Sequence, residues 1–123
     1  MSELKKYSAI YLKFLNLSKT VREMPIFSAI DPVEENLLNM LASRWHEDKK
    51  ITVLEAMNLS ANFSNTTLHR RLMSLRSKGL IALQVSKIDS RVKYVLPTDL
   101  TQAYFAKLGS ALVFAQEESV GQC

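Results

Sequence analysis

The sequence predicts a mainly α fold with a small β-hairpin, and three observations carry that reading. Apolar residues recur at helical spacing over most of the chain. Asp31, Thr52, Ser64 and Thr98 each stand where a helix would start, and Gly79 where one would stop. Only between residues 80 and 97 does the pattern change, to β-branched and aromatic residues around a short polar loop. A chain of 123 residues suits a single domain over residues 1–123, with 47% apolar and 23% charged residues as in ordinary globular proteins.

The first helix is expected over residues 2–22, with Leu4, Tyr7, Tyr11, Phe14, Leu15 and Val21 near one face and Pro25 beyond its end. The second begins in DPVEENLLNMLASRW. Asp31 is the N-cap, Pro32 takes the first helical position and Glu34 completes a capping box. Val33, Leu37, Leu38, Leu41 and Trp45 then form the stripe that faces the core, and the polar run HEDKK closes the helix. Trp45 and the tyrosines are expected as core fillers. A short third helix opens at TVLEAM, where Thr52 and Glu55 form another capping box. NLSANFS follows as a turn without glycine, in which Asn58 and Asn62 are the residues best able to take positive φ. Ser64 caps the fourth helix and Gly79 ends it. LIALQVSK and RVKYVLP, on either side of IDS, read as two antiparallel strands. Thr98 opens the last helix over residues 98–117, with Leu100, Tyr104, Leu108, Leu112 and Ala115 along one face and Gly109 as a weak point.

This order is a helix-turn-helix, over about residues 52–78, followed by a two-stranded wing over about residues 80–97. The net charge of +4 is unevenly spread along it. Residues 64–93 hold seven Lys or Arg against one acid, Asp89, and residues 1–22 hold five bases against one acid. Residues 23–63 are acidic, with seven acids against three bases. Charge of one sign gathered on particular elements fits a surface that meets a polyanion; a solvated basic face is the plainer alternative.

The fourth helix shows how. With Leu68 marking the core direction and about 100° per residue, Leu72 and Leu75 fall beside it. Thr66, Arg70, Met73 and Ser77 fall opposite, with Thr67 and Arg71 at one edge and His69 and Arg76 at the other. Such a helix fits the major groove of duplex DNA. Arg70 is the first candidate for a base contact, because a guanidinium can bond guanine at two atoms; Asn65, Thr66, Thr67 and Ser74 follow. His69, Arg71 and Arg76 suit phosphates, which set register without reading sequence. The wing adds Lys87, Ser90, Arg91 and Lys93, with Arg91 placed to enter a minor groove. An exposed Asp89–Arg91 ion pair is the alternative for that residue.

Taken together, ITVLEAM, TTLHRRLMSLRSKGLI and DSRVKYVLPT resemble the winged helix-turn-helix proteins of the MarR type over residues of about 33 to 110. They are similar, in turn, to that family's first motif helix, its recognition helix running into glycine and leucine, and its wing, in which an Asp, an Arg two residues on and a Thr opening the next helix recur. Pro97, the turn without glycine and a shorter C-terminal region depart from the pattern. The resemblance implies a DNA-binding regulator in which Arg91 enters the minor groove while Asp89 helps to hold the loop. It also implies relief of binding by small aromatic acids or oxidants in many members, although the sequence names no effector here.

The expected function is therefore a sequence-specific double-stranded DNA-binding transcriptional regulator. It is expected to act as a homodimer through its N- and C-terminal helices, on half-sites about 10 bp apart. A winged-helix adaptor for protein–protein contacts, and a DNA-binding module in replication, partition or phage biology, remain alternatives. No enzyme is expected: there is no nucleotide-binding glycine pattern, and the hydroxyls of SNTT lack a visible base. Two histidines and one cysteine, Cys123, suggest neither a metal nor another cofactor and no internal disulfide. MSELKKYSAIYLKFL alternates charge with hydrophobe unlike a secretory signal, so the expected address is the cytoplasm, with no membrane contact.

Overall fold

The computed structural model describes residues 2–27 and 30–121. Cys123 lies outside them. The elements are α1 (Ser2–Arg22), a 3₁₀ turn (Pro25–Phe27), α2 (Pro32–His46), β1 (Ile51–Thr52), α3 (Val53–Met57), α4 (Asn65–Ser77), β2 (Ile81–Val85), β3 (Lys93–Pro97) and α5 (Asp99–Gly121). Two compact units are distinguishable, residues 30–101 and residues 1–29 with 102–123. No described helix is long and apolar enough to cross a membrane.

Residues 30–101 hold the helix-turn-helix and the wing. Each expected cap is present: Asp31 and Glu34 exchange bonds in a capping box, as do Thr52 and Glu55, and the Ser64 side chain accepts from the Thr67 N–H. α4 ends as expected in a Schellman motif, with Leu80 N–H donating to Leu75 O at 2.9 Å, Gly79 N–H to Arg76 O at 3.0 Å, and φ of 78° at Gly79. The end of α2 repeats this geometry without glycine. Lys49 N–H reaches Arg44 O at 3.1 Å, Asp48 N–H reaches Trp45 O at 3.0 Å, and Asp48 takes φ of 58°.

The positive φ expected at Asn58 or Asn62 is not found at either. Asn58 has φ of −106° and serves as the C-cap of α3, while Asn62 N–H donates to the Ser60 hydroxyl at 3.2 Å. A side-chain oxygen closes the turn, so no left-handed residue is required. The core of this unit is a leucine cluster: Leu37, Leu38 and Leu41 of α2 and Leu68, Leu72 and Leu75 of α4 are all buried, each contributing roughly 2 kcal/mol. Trp45 is only half-buried, and its indole N–H donates to Val95 O at 3.0 Å.

The hairpin is part of a three-stranded antiparallel sheet ordered β1-β3-β2. Leu83 of β2 and Ile51 of β1 both stand opposite Val95, which is fully buried. β1 was not legible in the sequence, because two residues carry no period. Pro97 closes β3 opposite Ile81, and the start of α5 is stitched to the chain leaving α4. Thr98 Oγ1 donates to Gly79 O at 2.6 Å and accepts from Thr101 N–H, while the Thr101 hydroxyl donates to Leu80 O.

In the other unit Phe27 and Tyr104 meet edge to face, with centroids 5.0 Å apart. On α1 Val21 is buried, while Leu4, Tyr7, Tyr11, Leu12 and Leu15 are 41–67% exposed, so Tyr7 and Tyr11 are not the core fillers expected of the tyrosines and the stripe stays open on the single chain. On α5 the buried side runs through Tyr104, Ala111 and Ala115 and leaves Leu112 exposed, contrary to the expected stripe. The helix passes through Gly109 and beyond the expected end at residue 117.

Candidate nucleic-acid interface

α4 is set on the domain by a leucine stripe and, beside it, a polar one. Its residues 71 and 74 and its C-cap, Lys78, all meet the start of α2, at the N-cap Asp31 or at Glu34. Arg71 pairs with Asp31 at 2.5 Å. Ser74 Oγ donates to Glu34 Oε2 at 2.7 Å, and Lys78 Nζ donates to both Glu34 oxygens at 2.7 and 2.9 Å. Glu34 is only 1% exposed, so its carboxylate would be costly to bury without these partners. Burial raises its pKa, but the Lys78 hydrogen bond, the Asp31 N–H, the Ser74 hydroxyl and the Lys78 charge outweigh that effect and hold it below the ordinary 4.5.

A depressed native pKa means that the unfolded chain binds the proton more readily. The stability contributed by Glu34 is thus complete above the ordinary value of 4.5 and is lost as pH falls through the lower native value. The urea midpoint should accordingly hold steady at neutral pH and decline below about pH 4.5, and Glu34→Gln should flatten that decline. An equally steep decline in Glu34→Gln would assign it to other carboxylates.

These contacts redistribute the residues expected to face a ligand. Ser74 was expected among the base readers, but its hydroxyl is committed to Glu34. Arg71, expected at a phosphate, is held by Asp31. Thr67 is half-buried and bound to the cap, its Oγ1 accepting from Ser64 Oγ at 3.0 Å. Asn65, Thr66, His69, Arg70 and Arg76 are exposed. In the sequence Asp31 and Glu34 show only as caps; their second role, orienting α4, depends on pairings 40 or more residues away in the chain.

The wing loop is held by its own polar groups. Ser86 N–H donates to Val92 O at 2.8 Å, and the Ser86 hydroxyl accepts from the N–H groups of Ile88 and Asp89 at 3.2 and 3.3 Å. Asp89 accepts from Arg91 N–H at 3.0 Å and from the Arg91 guanidinium at 3.2 and 3.3 Å. The guanidinium and the Arg91 N–H lower the Asp89 pKa. Arg91 is 89% exposed all the same, and Lys87, Ser90 and Lys93 are exposed beside it.

α4 and the wing meet at one cleft of about 410 Å3. His69, Met73 and Arg76 of α4 and Leu83, Arg91 and Lys93 of the hairpin are among the residues that line it. Four of the expected contact residues, from two separate stretches of chain, therefore share one surface. With apolar Met73 and Leu83 and cationic Arg76, Arg91 and Lys93 in one lining, it can receive a polyanion with apolar edges.

By sequence the chain matches no protein-family model and none of the curated proteins. By structure it is similar to the transcriptional regulator Tm0710 of Thermotoga maritima (TM-score 0.65, 13% identity, covering 96% of this chain and 80% of that one). It is also similar to a mutant of MepR from S. aureus (0.63, 17%, 95% and 80%) and to the heme sensor PefR of Streptococcus agalactiae, solved with heme (0.58, 21%, 90% and 67%). The fold is the MarR-type winged helix. At these identities the likeness is one of architecture, and the MarR-type frame is what sets α4 and the wing on a common side. Which side chains that frame displays is particular to this chain.

Proposed function

We propose that this chain is a sequence-specific double-stranded DNA-binding transcriptional regulator of the cytoplasm, with α4 in the major groove and the wing at the minor groove. The observation that supports it most is the shared cleft, where His69 and Arg76 stand with Arg91 and Lys93. Asp89, the one acid between residues 64 and 93, is already paired with Arg91. Arg70, Asn65 and Thr66 are the base readers, Arg91 is the minor-groove contact, and Arg76, Lys87 and Lys93 meet phosphates, with His69 and Ser90 beside them. The structural neighbours described as transcriptional regulators support the same class.

The working form is a homodimer. Leu4, Tyr7, Tyr11 and Leu15 of α1 and Leu112, Val113 and Phe114 of α5 remain exposed on the chain, apolar side chains that a second copy would cover. Two recognition helices related by a two-fold axis would meet half-sites about 10 bp apart.

Selection of bound duplexes from a random pool at physiological salt tests the whole reading, since a regulator returns a common, two-fold related sequence. On the selected duplex, Arg70→Ala is expected to cost roughly 1–3 kcal/mol and to relax the preference at one guanine. A loss equal on all sequences would make Arg70 a phosphate contact. A pool that returns no sequence preference would overturn the function.

A further inference from the structure

We infer that Ile88, at the tip of the wing, is an apolar contact of this protein with the minor groove of duplex DNA, lying against the sugar walls while the neighbouring Arg91 meets the groove floor. The inference rests on the DNA-binding reading and extends it to a residue that no charge or hydrogen-bonding argument selects. Ile88 is 98% exposed, the most exposed of the large apolar side chains described. Single apolar residues on a surface are ordinary. The setting of this one is different.

The loop from Ser86 to Val92 is closed by bonds from the Ser86 hydroxyl, the Asp89 carboxylate and the backbone, none of which uses the Ile88 side chain. A polar residue would hold the same turn and cost less in water. Instead a β-branched side chain, stiff about its first torsion, stands exposed on a turn whose backbone is held by the Ile88 N–H bond to Ser86 Oγ at 3.2 Å. It stands between Lys87 and Arg91, on a hairpin whose Lys93 is also exposed. An apolar point with cations on both sides in the loop, whose one acid, Asp89, is already paired with Arg91, complements a surface that is anionic at its edges and apolar within. The minor groove has that character, with phosphates along its rims and deoxyribose between them, and apolar side chains enter it in other architectures.

The test is fluorescence anisotropy at several salt concentrations, using a duplex that the wild-type protein has selected from a random pool. Ile88→Ser should raise Kd roughly tenfold, by loss of apolar burial. The slope of log K against log salt should stay that of the wild type, because no phosphate contact is removed. Ile88→Val should bind nearly as tightly as wild type. Unchanged affinity in Ile88→Ser would overturn the inference and leave the DNA reading standing. A loss accompanied by a shallower slope would overturn it too, by showing that the wing's cations had moved. Failure of the wild type to select any duplex would bring down the DNA reading itself, and this inference with it.

Discussion

Raising salt from about 50 to about 200 mM should weaken binding of a selected duplex about a thousandfold. The expectation follows from counting cations that are exposed and uncommitted to the protein's own acids. Arg71 is engaged by Asp31 and Lys78 by Glu34. Arg70 is assigned to a base and Arg91 to the minor groove, which leaves Arg76, Lys87 and Lys93 for phosphates. Two protomers then neutralise about six phosphates, and with roughly 0.9 counterion released for each, log K falls against log salt with a slope near −5. A titration of labelled duplex at four or five salt concentrations gives that slope directly. A flat response would exclude the groove-binding account, and a slope near half this value would point to one protomer on the DNA.

Glu34→Ala should cost about 3 kcal/mol of folding stability, far more than removal of an exposed acid such as Glu23, where about 0.5 kcal/mol or less is expected. The substitution removes an acceptor shared by three groups: the Lys78 ammonium, the Ser74 hydroxyl and the Asp31 N–H, which donates to Glu34 Oε1 at 3.0 Å. Glu34→Gln retains an acceptor for that N–H and should recover part of the loss. The urea midpoints of the three variants decide the matter. If Glu34→Ala unfolds within about 1 kcal/mol of wild type, the carboxylate is not what seats α4.

The fate of Glu34 also marks the boundary of what sequence could reveal. Its cap to Asp31 spans three residues, and local bonds of that kind, at Thr52 and Ser64 as well, were legible because their geometry is contained in a single helical turn. So was the hairpin, whose two strands lie on either side of a short loop. Its pairing with Ser74 and Lys78 was not, since no local pattern states which helix another will lie against. The same limit explains why Ser74 looks like a reader of bases by sequence: around a helix axis, periodicity separates apolar from polar faces but cannot divide the polar side into the part facing water and the part facing a neighbour. The stripe on α1 shows the converse: Leu4, Tyr7 and Tyr11 are apolar and in phase yet exposed on the chain, so periodicity alone does not say whether such a stripe faces the domain's own core or, as expected of this helix, a second chain. Asp48 escaped notice because the left-handed position it fills is one where glycine is the usual signal. The candidate surface was nonetheless readable in outline, since Asn65, Thr66, His69, Arg70, Arg76 and the wing cations needed only the leucine phase and the loop to be placed.

Thr52 serves two elements at once. It pairs with Tyr94 in the sheet and caps α3 with its side chain. One residue therefore couples β3, the central strand of the sheet, to α3, the helix preceding α4, with no intervening linker to lengthen or bend. The span between the two grooves that this unit could grip is gauged in advance. On the proposed DNA-binding reading, one base pair inserted between the two grips turns the second by about a tenth of a revolution, and the residue shared by sheet and helix leaves no spare chain between them to take up the change.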